Sequence, residues 1–535
     1  NEYAEVTQVN GRDIATLKSK LKDYNIVIIG LHKSNASPWK AYKFTNTELL
    51  WLEEIAKERT SNLILAVFAK PYALLSVPSF QNIDAVIVGY QNSKIAQEKT
   101  AQIIFGALPA KGVLPVSAHP DFPVNTTVPV AAIMRLGHTI PERVGMSSPK
   151  LAQVDRMVQN GIDSLMFPGA QVVITRKGMV VYNKGFGKPT YDSGEKITTD
   201  HIYDLASLTK ILATLPLIMK MEEEGKIALD DTFEELIPSF SHSELKNVTV
   251  LKALSHYGRL PAWIPFYINT LDEEKKPSPL WYRQQSIGGY SVKVADHLYL
   301  TNQYKDSIYN RIARQSLKAN RYLYSDLSYY VMKKYIEDTY KEGMDQLADD
   351  FLYKRIGATH MGFNPLKKFA KKEIAPSEED DYYRYQRVQG YVHDMGAAMQ
   401  GGVGGHAGLF SNALDVAKIM QMYLQNGYYG GQQFLESRTI KKFNTCYFCG
   451  QKVRRGVGFD KPEVNGRGGP ASRLVSRKSF GHSGFTGTYT CADPEEDLVY
   501  VFLSNRTYPT ASNTLLIKSG LRTRIQKAIY EAILN

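Results

Sequence analysis

Six serines stand three positions before a lysine: Ser19, Ser37, Ser147, Ser193, Ser207 and Ser243. One helical turn at that spacing brings an amine beside a hydroxyl, where it can accept or relay the hydroxyl proton and make the serine a nucleophile. The tetrapeptide alone is a weak signal, so context has to choose. Ser207 opens an apolar pattern through Leu208, Ile211, Leu212, Leu215, Ile218 and Met219, which predicts a helix that buries the side of the turn carrying Lys210. Burial would depress the lysine pKa toward the range of a base, and a helix N-terminus would favour a developing anion. Ser19 falls in a lysine-rich surface helix and Ser243 in a polar run. Two later strings add to Ser207: Tyr324-Ser325-Asp326 begins the helical pattern LSYYVMKKYI, and His482-Ser483-Gly484 precedes a strand in GHSGFTGTYT.

The order S-x-x-K, Y-x-N/D, K/H-x-G resembles the serine β-lactamase and penicillin-binding-protein superfamily. FPGAQVVITRKG, DLASLTK, YSDLSYY, GGHAGLFSNALDVA and FGHSGFTGTY appear in family order over residues 148–535. The resemblance implies Ser207 as the acylated serine, Lys210 as its proton acceptor, Tyr324 as the second base of the class C-like branch and His482 in the place of the basic third-motif residue. It implies an oxyanion hole from the backbone N–H groups of Ser207 and Phe485, with Ser483 and Gly484 beside the substrate. Two positions depart from the family. Asp326 replaces an asparagine, and a carboxylate only accepts where an amide also donates; paired with Lys210 it would hold that amine protonated and shift the base role to Tyr324. The alternative is that Asp326 only caps a helix. His482 replaces a lysine and would be largely neutral at pH 7, which disfavours carboxylate recognition and so favours peptidase or esterase over β-lactamase action. No E-x-x-L-N string offers a class A deacylation glutamate.

Other features read more plainly. Ser483 lacks the last glycine of a G-x-S-x-G elbow, GGVGGHAG (401–408) lacks the G-K-[S/T] ending of a phosphate loop, and His393, Asp394 and His406 match no compact metal-ligand spacing, so they are expected to be structural or pocket-lining. Cys446 and Cys449 form a C-x-x-C pair with only Cys491 besides, which favours thiols or one disulfide over zinc. EEDD (378–381) reads as a solvated loop. The net charge of +12 disperses 65 basic among 53 acidic residues without a basic block, which speaks against nucleic acid, and no apolar run approaches the roughly 18 residues of a membrane helix. No cofactor or metal is called for.

A length of 535 residues calls for several elements and more than one core to position these motifs. NIVIIG (25–30), NLILAVF (62–68) and DAVIVG (84–89) read as buried parallel strands separated by helices, one opening with Thr45 and Glu48 at capping-box spacing. The stretch DAVIVGYQNSKIAQEKTAQIIFGALPAKGVLPVS resembles the C-terminal α/β-sandwich of family-three glycoside hydrolases, whose K-H-F-P-G-x-G barrel loop has no counterpart in this chain. Residues 1–125 are thus an expected α/β-sandwich, 126–147 a linker, and 148–535 an α+β hydrolase with an antiparallel sheet flanked by helices. In this last part 148–165 forms a helix, 170–187 a hairpin turning at Lys177 and Gly178, TGTYTCA and LVYVFLSN strands, and Leu521, Ile525, Ala528 and Ile529 a final helix. The sequence opens on Asn1 with no leader pattern, as a processed or truncated piece would. The expectation is an extracytoplasmic serine hydrolase of small or peptidoglycan-derived acyl substrates in cell-wall turnover. A non-catalytic binding module, a glycosidase fragment without its barrel and an esterase with no wall substrate stay open beside it.

Overall fold

The structure, a computed structural model, describes residues 2–34, 42–58, 60–463 and 469–534. The chain divides into two compact units, Glu5–Gly137 and His138–Asn535, and Glu2–Ala4 goes with the second.

In the first unit, strands β1 (Ile26–His32), β2 (Asn62–Phe68) and β3 (Ala85–Val88) pair in parallel in that order, with Ile26 opposite Asn62 and Ile64 opposite Ala85. Helices α1 (Ile14–Leu21), α2 (Asn46–Glu58) and α3 (Lys94–Ile104) connect and cover them. The capping box forms as its spacing predicts: the Thr45 N–H donates to Glu48 Oε2 (2.6 Å) and the Glu48 N–H to Thr45 Oγ1 (3.2 Å). Leu31, Leu65 and Val67 meet Leu52 and Leu74 in the core. The expectation of uniformly buried strands fails at β1, where Ile26 and Ile28 remain 49% and 40% exposed. Strand side chains alternate between faces, so Val27 and Leu31 enter the core while Ile26 and Ile28 point to the face on which α3 packs against β2.

The second unit is built on strands β4 (Gly169–Arg176), β5 (Met179–Gly187), β6 (Phe480–Ser483), β7 (Tyr489–Asp493) and β8 (Leu498–Ser504), which run antiparallel in the order β6-β7-β8-β4-β5. The β4–β5 hairpin turns at Lys177 and Gly178, whose φ angles of +52° and +71° give the twist that suits a two-residue turn. Helices α4 (Gln153–Asp163) and α8 (Leu521–Glu531) cover one face, where Val154, Val158, Ile525 and Ile529 pack on Val172, Ile174, Tyr500 and Phe502. Helix α7 (Ala413–Leu424) covers the other. Every residue of β4 and β8 is consequently buried. Val144 and Met146, from the stretch read as linker, belong to this core.

Between β5 and β6 lie α5 (Leu215–Glu223) and α6 (Leu327–Tyr340), together with small strand pairs such as Val292–Ala295 with Leu298–Leu300 that no sequence pattern announces. Residues 378–381 are not a solvated loop. Glu378–Asp380 is a strand, Glu378 and Asp380 are both 3% exposed, and Arg384 pairs with Asp380 at 2.8 Å. Buried acids persist where a cation and hydrogen bonds replace water: Arg384 and the Tyr383 N–H serve Asp380, and the Tyr382 hydroxyl and Ala511 N–H serve Glu378.

Candidate active site

The turn carrying Ser207 hangs from a short strand, Tyr203–Asp204, paired with Leu409–Ser411. Asp204 is buried, and burial pushes its carboxyl pKa up. One of its oxygens accepts the Ala206 N–H (2.8 Å) and the other the His393 N–H (2.6 Å). Thr486 and Thr488 donate their hydroxyls to the carbonyls of Asp204 and Leu205 at 2.8 and 2.9 Å. These bonds hold Ala206 at φ +47°, a left-handed conformation unusual for a residue with a Cβ and placed immediately before the serine.

The expected α-helix does not begin at Ser207. A 3₁₀ turn (Ala206–Leu208) and a wide i→i+5 turn (Lys210–Thr214) precede α5. Pro216 has no N–H to return to the Leu212 carbonyl, so the regular ladder cannot form there. Tyr353 and Tyr423 hydroxyls instead satisfy the carbonyls of Leu212 (3.1 Å) and Ile211 (2.8 Å).

Lys210, fully buried, donates from Nζ to Ser207 Oγ (2.9 Å), Asp326 Oδ1 (2.7 Å) and the His406 carbonyl (3.2 Å). Three acceptors match the three N–H bonds of an ammonium. The depressed lysine expected from burial is therefore overturned. Burial, the largest single effect, pushes the pKa down, but the Asp326 carboxylate and Tyr324 together outweigh it and raise Lys210 above the ordinary lysine range. Asp326 heads α6 without a side-chain cap, so the helix-cap alternative fails. Tyr324 donates its hydroxyl to Ser207 Oγ at 3.0 Å, and burial raises its pKa although Lys210 works against this.

A second strip fixes this segment. The His256 ring packs tilted against Tyr324 with ring centres 4.4 Å apart and accepts the Ser325 N–H (3.2 Å), while Ser325 Oγ donates to the Pro261 carbonyl (2.6 Å). Burial, with Arg455 and Lys210 nearby, holds His256 neutral. His256 and Asp204 escaped the sequence reading because a lone buried histidine or aspartate carries no spacing signal.

His482 projects from β6 and donates Nδ1–H to the Ser483 carbonyl (2.8 Å). Its pKa is pushed down to about 3, by burial first and then by Arg455 and Lys210, so it is neutral as expected. Nε2, with no partner among the described residues, is left as an acceptor where a lysine would have been a cation. Gly484 is required by contact: a Cβ there would lie 2.1 Å from Thr488 Oγ1 and 2.6 Å from the Leu205 carbonyl.

These groups surround a cavity of about 600 Å³ lined by Ser207, Tyr324, Asp326, His482, Ser483, Gly484 and Phe485. Lys210 lies beneath it. Trp263, Phe485 and Ile517, each more than half exposed, supply apolar surface to its walls. His393, Asp394 and His406 line it too; His406 Nε2 meets Asp394 Oδ1 at 2.8 Å, and burial notwithstanding that pairing holds Asp394 below the carboxylate range. Elsewhere Ser147 caps a helix, Ser243 donates to the Ala313 carbonyl, and Ser19 and Ser193 lie apart from the cavity. Ser37 falls outside the described residues. Cys446 and Cys449 form a disulfide, and Cys491 is buried.

The β-lactamase family profile matches residues 154–521, more than half of the chain. This chain belongs to the β-lactamase family. A relative from Escherichia coli (strain K12), named "Putative D-alanyl-D-alanine carboxypeptidase", is 31% identical over 432 residues, which cover 74% of this chain and 92% of the relative. A penicillin-binding protein homolog from Caulobacter crescentus has the same fold with a TM-score of 0.51 at 16% identity, over 72% of this chain and 99% of that one. The hydrolase EstCE1, described as having promiscuous acyltransferase activity, gives a TM-score of 0.50 at 18% identity over 70% and 99%. With the β-lactamase family assigned, the protein is a serine hydrolase on a β-lactamase/transpeptidase-type fold.

Proposed function

We propose that Ser207 is the nucleophile of an acyl-enzyme hydrolase that acts on D-alanyl peptides or esters derived from cell-wall peptidoglycan. The observation that carries this reading is the placement of Ser207 Oγ within hydrogen-bond reach of both Lys210 and Tyr324 at the floor of an open cavity. In the acylation step Tyr324, which gives up its own proton as the pH rises and then stands as phenolate beside the Lys210 ammonium, takes the Ser207 proton while Oγ bonds to the substrate carbonyl carbon. The backbone N–H groups of Ser207 and Phe485 stabilise the oxyanion, a contribution of about 3–4 kcal/mol per donor in comparable enzymes. Collapse breaks the bond to the leaving amine or alcohol, which receives the proton from Tyr324, and water later releases the acid by the reverse transfers. Intact-mass detection of a penicillin or D-alanyl ester adduct on Ser207, absent from Ser207→Ala, tests this. A label on another serine would overturn it.

The neutral His482 and the apolar walls formed by Trp263, Phe485 and Ile517 favour an esterase as the second reading. Faster acylation by simple esters than by D-alanyl peptides would select it. The parallel sheet of the first unit supports residues 1–125 as a family-three glycosidase-type α/β-sandwich, and the hydrolase core takes in Val144 and Met146 ahead of residue 148. The disulfide and the carboxypeptidase-named relative support an extracytoplasmic, cell-envelope location.

A further inference from the structure

The disulfide lies behind Tyr324, close to the chemistry. Cys446 and Cys449 follow the helix Ser437–Asn444 and close a tight turn. The Phe448 carbonyl inside that turn accepts the N–H groups of Gln451 (3.0 Å) and Val453 (3.1 Å), and Cys446 Sγ lies 3.2 Å from the Val453 carbonyl oxygen. The bridged turn is thereby stitched to the residues that follow it, Arg454 and Arg455, which line the cavity.

Two contacts lead from this turn to the proposed base. Through the first, the Phe448 ring packs on Tyr257 with ring centres 4.8 Å apart, and the neighbouring His256 packs on Tyr324. Through the second, Arg455 gives Nη2 and Nε to the Tyr322 hydroxyl (3.0 and 3.3 Å) and sets its guanidinium 5.5 Å from the centre of the Tyr324 ring. Both contacts bear on one ring, whose hydroxyl stands 3.0 Å from Ser207 Oγ.

The bridge is also within reach of a reductant. Both of its cysteines are half-buried and Tyr447 between them is exposed, whereas Cys491 is buried and burial pushes its thiol pKa up to about 12. A thiolate can therefore attack the bridge while Cys491 stays inert. A disulfide that stabilises a whole fold closes a long loop; this one spans three positions, takes little freedom from the unfolded chain, and acts locally.

Resting on the proposed acylation of Ser207, we infer that the Cys446–Cys449 disulfide is a thiol–disulfide exchange site for a dithiol reductant, and that opening it slows acylation by loosening the hold of Phe448 and Arg455 on the Tyr324 segment. One thiolate of the reductant attacks a bridge sulfur, forming a mixed disulfide and releasing the other cysteine as a thiolate. The second thiol of the reductant then attacks the mixed disulfide. Cys446 and Cys449 end as thiols and the reductant as its own disulfide, two electrons and two protons having passed to the pair.

The test treats the full chain with dithiothreitol, removes the reagent under nitrogen, and follows labelling of Ser207 by a neutral fluorophosphonate. Iodoacetamide and intact mass count the opened thiols independently of Ser207. Reduction should alkylate Cys446 and Cys449 but not Cys491 and lower the maximal labelling rate by about tenfold, with the half-saturating probe concentration held within about twofold, because a base is displaced and binding is not. Reoxidation should restore the rate, and Cys446→Ser/Cys449→Ser should be slow with or without dithiothreitol. Equal rates in the two states, or a bridge that dithiothreitol leaves closed, would overturn the inference. Loss of the cooperative thermal transition on reduction would overturn it as well, since the bridge would then be holding the whole fold. A label on another serine in both states would reject the nucleophile and the coupling together, whereas equal rates at Ser207 reject the coupling alone.

Discussion

The parallel sheet of the first unit and the large antiparallel sheet of the second are built from similar apolar runs and end in different states. Each residue of β4 and of β8 is buried, with helices on both faces, whereas β1 leaves Ile26 and Ile28 partly in water. Hydrophobic content is therefore not what separates them; cover on the second face is. The covered sheet carries β6 and, through Thr486 and Thr488, the turn of Ser207. Groups that must hold a geometry within tenths of an ångström are mounted on the sheet whose side chains have nowhere to move.

Four substitutions probe that contrast. Ser207→Ala should lower turnover by about 10⁴-fold or more while leaving the thermal transition in place, because it removes the nucleophile and little packing. Retained turnover would separate the covered sheet from the chemistry. Phe502→Ala, in β8 and edge-on to Phe167 at 5.5 Å, should cost about 3–5 kcal/mol in a denaturant titration. A loss under about 1 kcal/mol would mean the covered sheet is no tighter than the other.

Asp326→Asn sharpens the comparison at the site itself. The carboxylate raises the pKa of both Lys210 and Tyr324, so removing its charge lowers both and makes the base available at lower pH. The rising limb of the Ser207 acylation profile should move down by about one pH unit, equivalent to about 1.4 kcal/mol. An unmoved or upward-shifted limb would refute the pairing. The smallest effect belongs to the open face: Ile28→Thr keeps a β-branched side chain and should change stability by about 0.5 kcal/mol or less. A loss comparable to Phe502→Ala would mean that β1 is as well covered as β8.

The sequence was most legible where residues act through spacing. Ser207 with Lys210, Tyr324 with Asp326, and His482 with Gly484 each lie within a few residues of one another, so chain connectivity fixes their local geometry; Ser207, Tyr324, Asp326, His482 and Gly484 line one cavity, and Lys210 reaches Ser207 from beneath it. The Lys177–Gly178 hairpin and the Thr45–Glu48 cap were legible for the same reason. What stayed hidden depends on distant partners. Lys210 looked like a depressed amine until Asp326, 116 positions away, stood at 2.7 Å. Glu378 and Asp380 look solvated in the sequence, whereas in the fold Arg384 donates to Asp380 and the Tyr382 hydroxyl and Ala511 N–H donate to Glu378. The wide turn after Ser207 needs the Tyr353 and Tyr423 hydroxyls to donate to its freed carbonyls, and no local pattern names such partners.

Asp204 also has a mechanical meaning. With one oxygen on the nucleophile turn and the other on the backbone of His393, it rivets two cavity walls 189 positions apart in the chain. Neither wall can swing outward without stranding a buried N–H, so slow breathing of the cleft across this line is suppressed. A substrate that needs a wider gap along this line would have to meet the cost of that stranded group, about 1–3 kcal/mol.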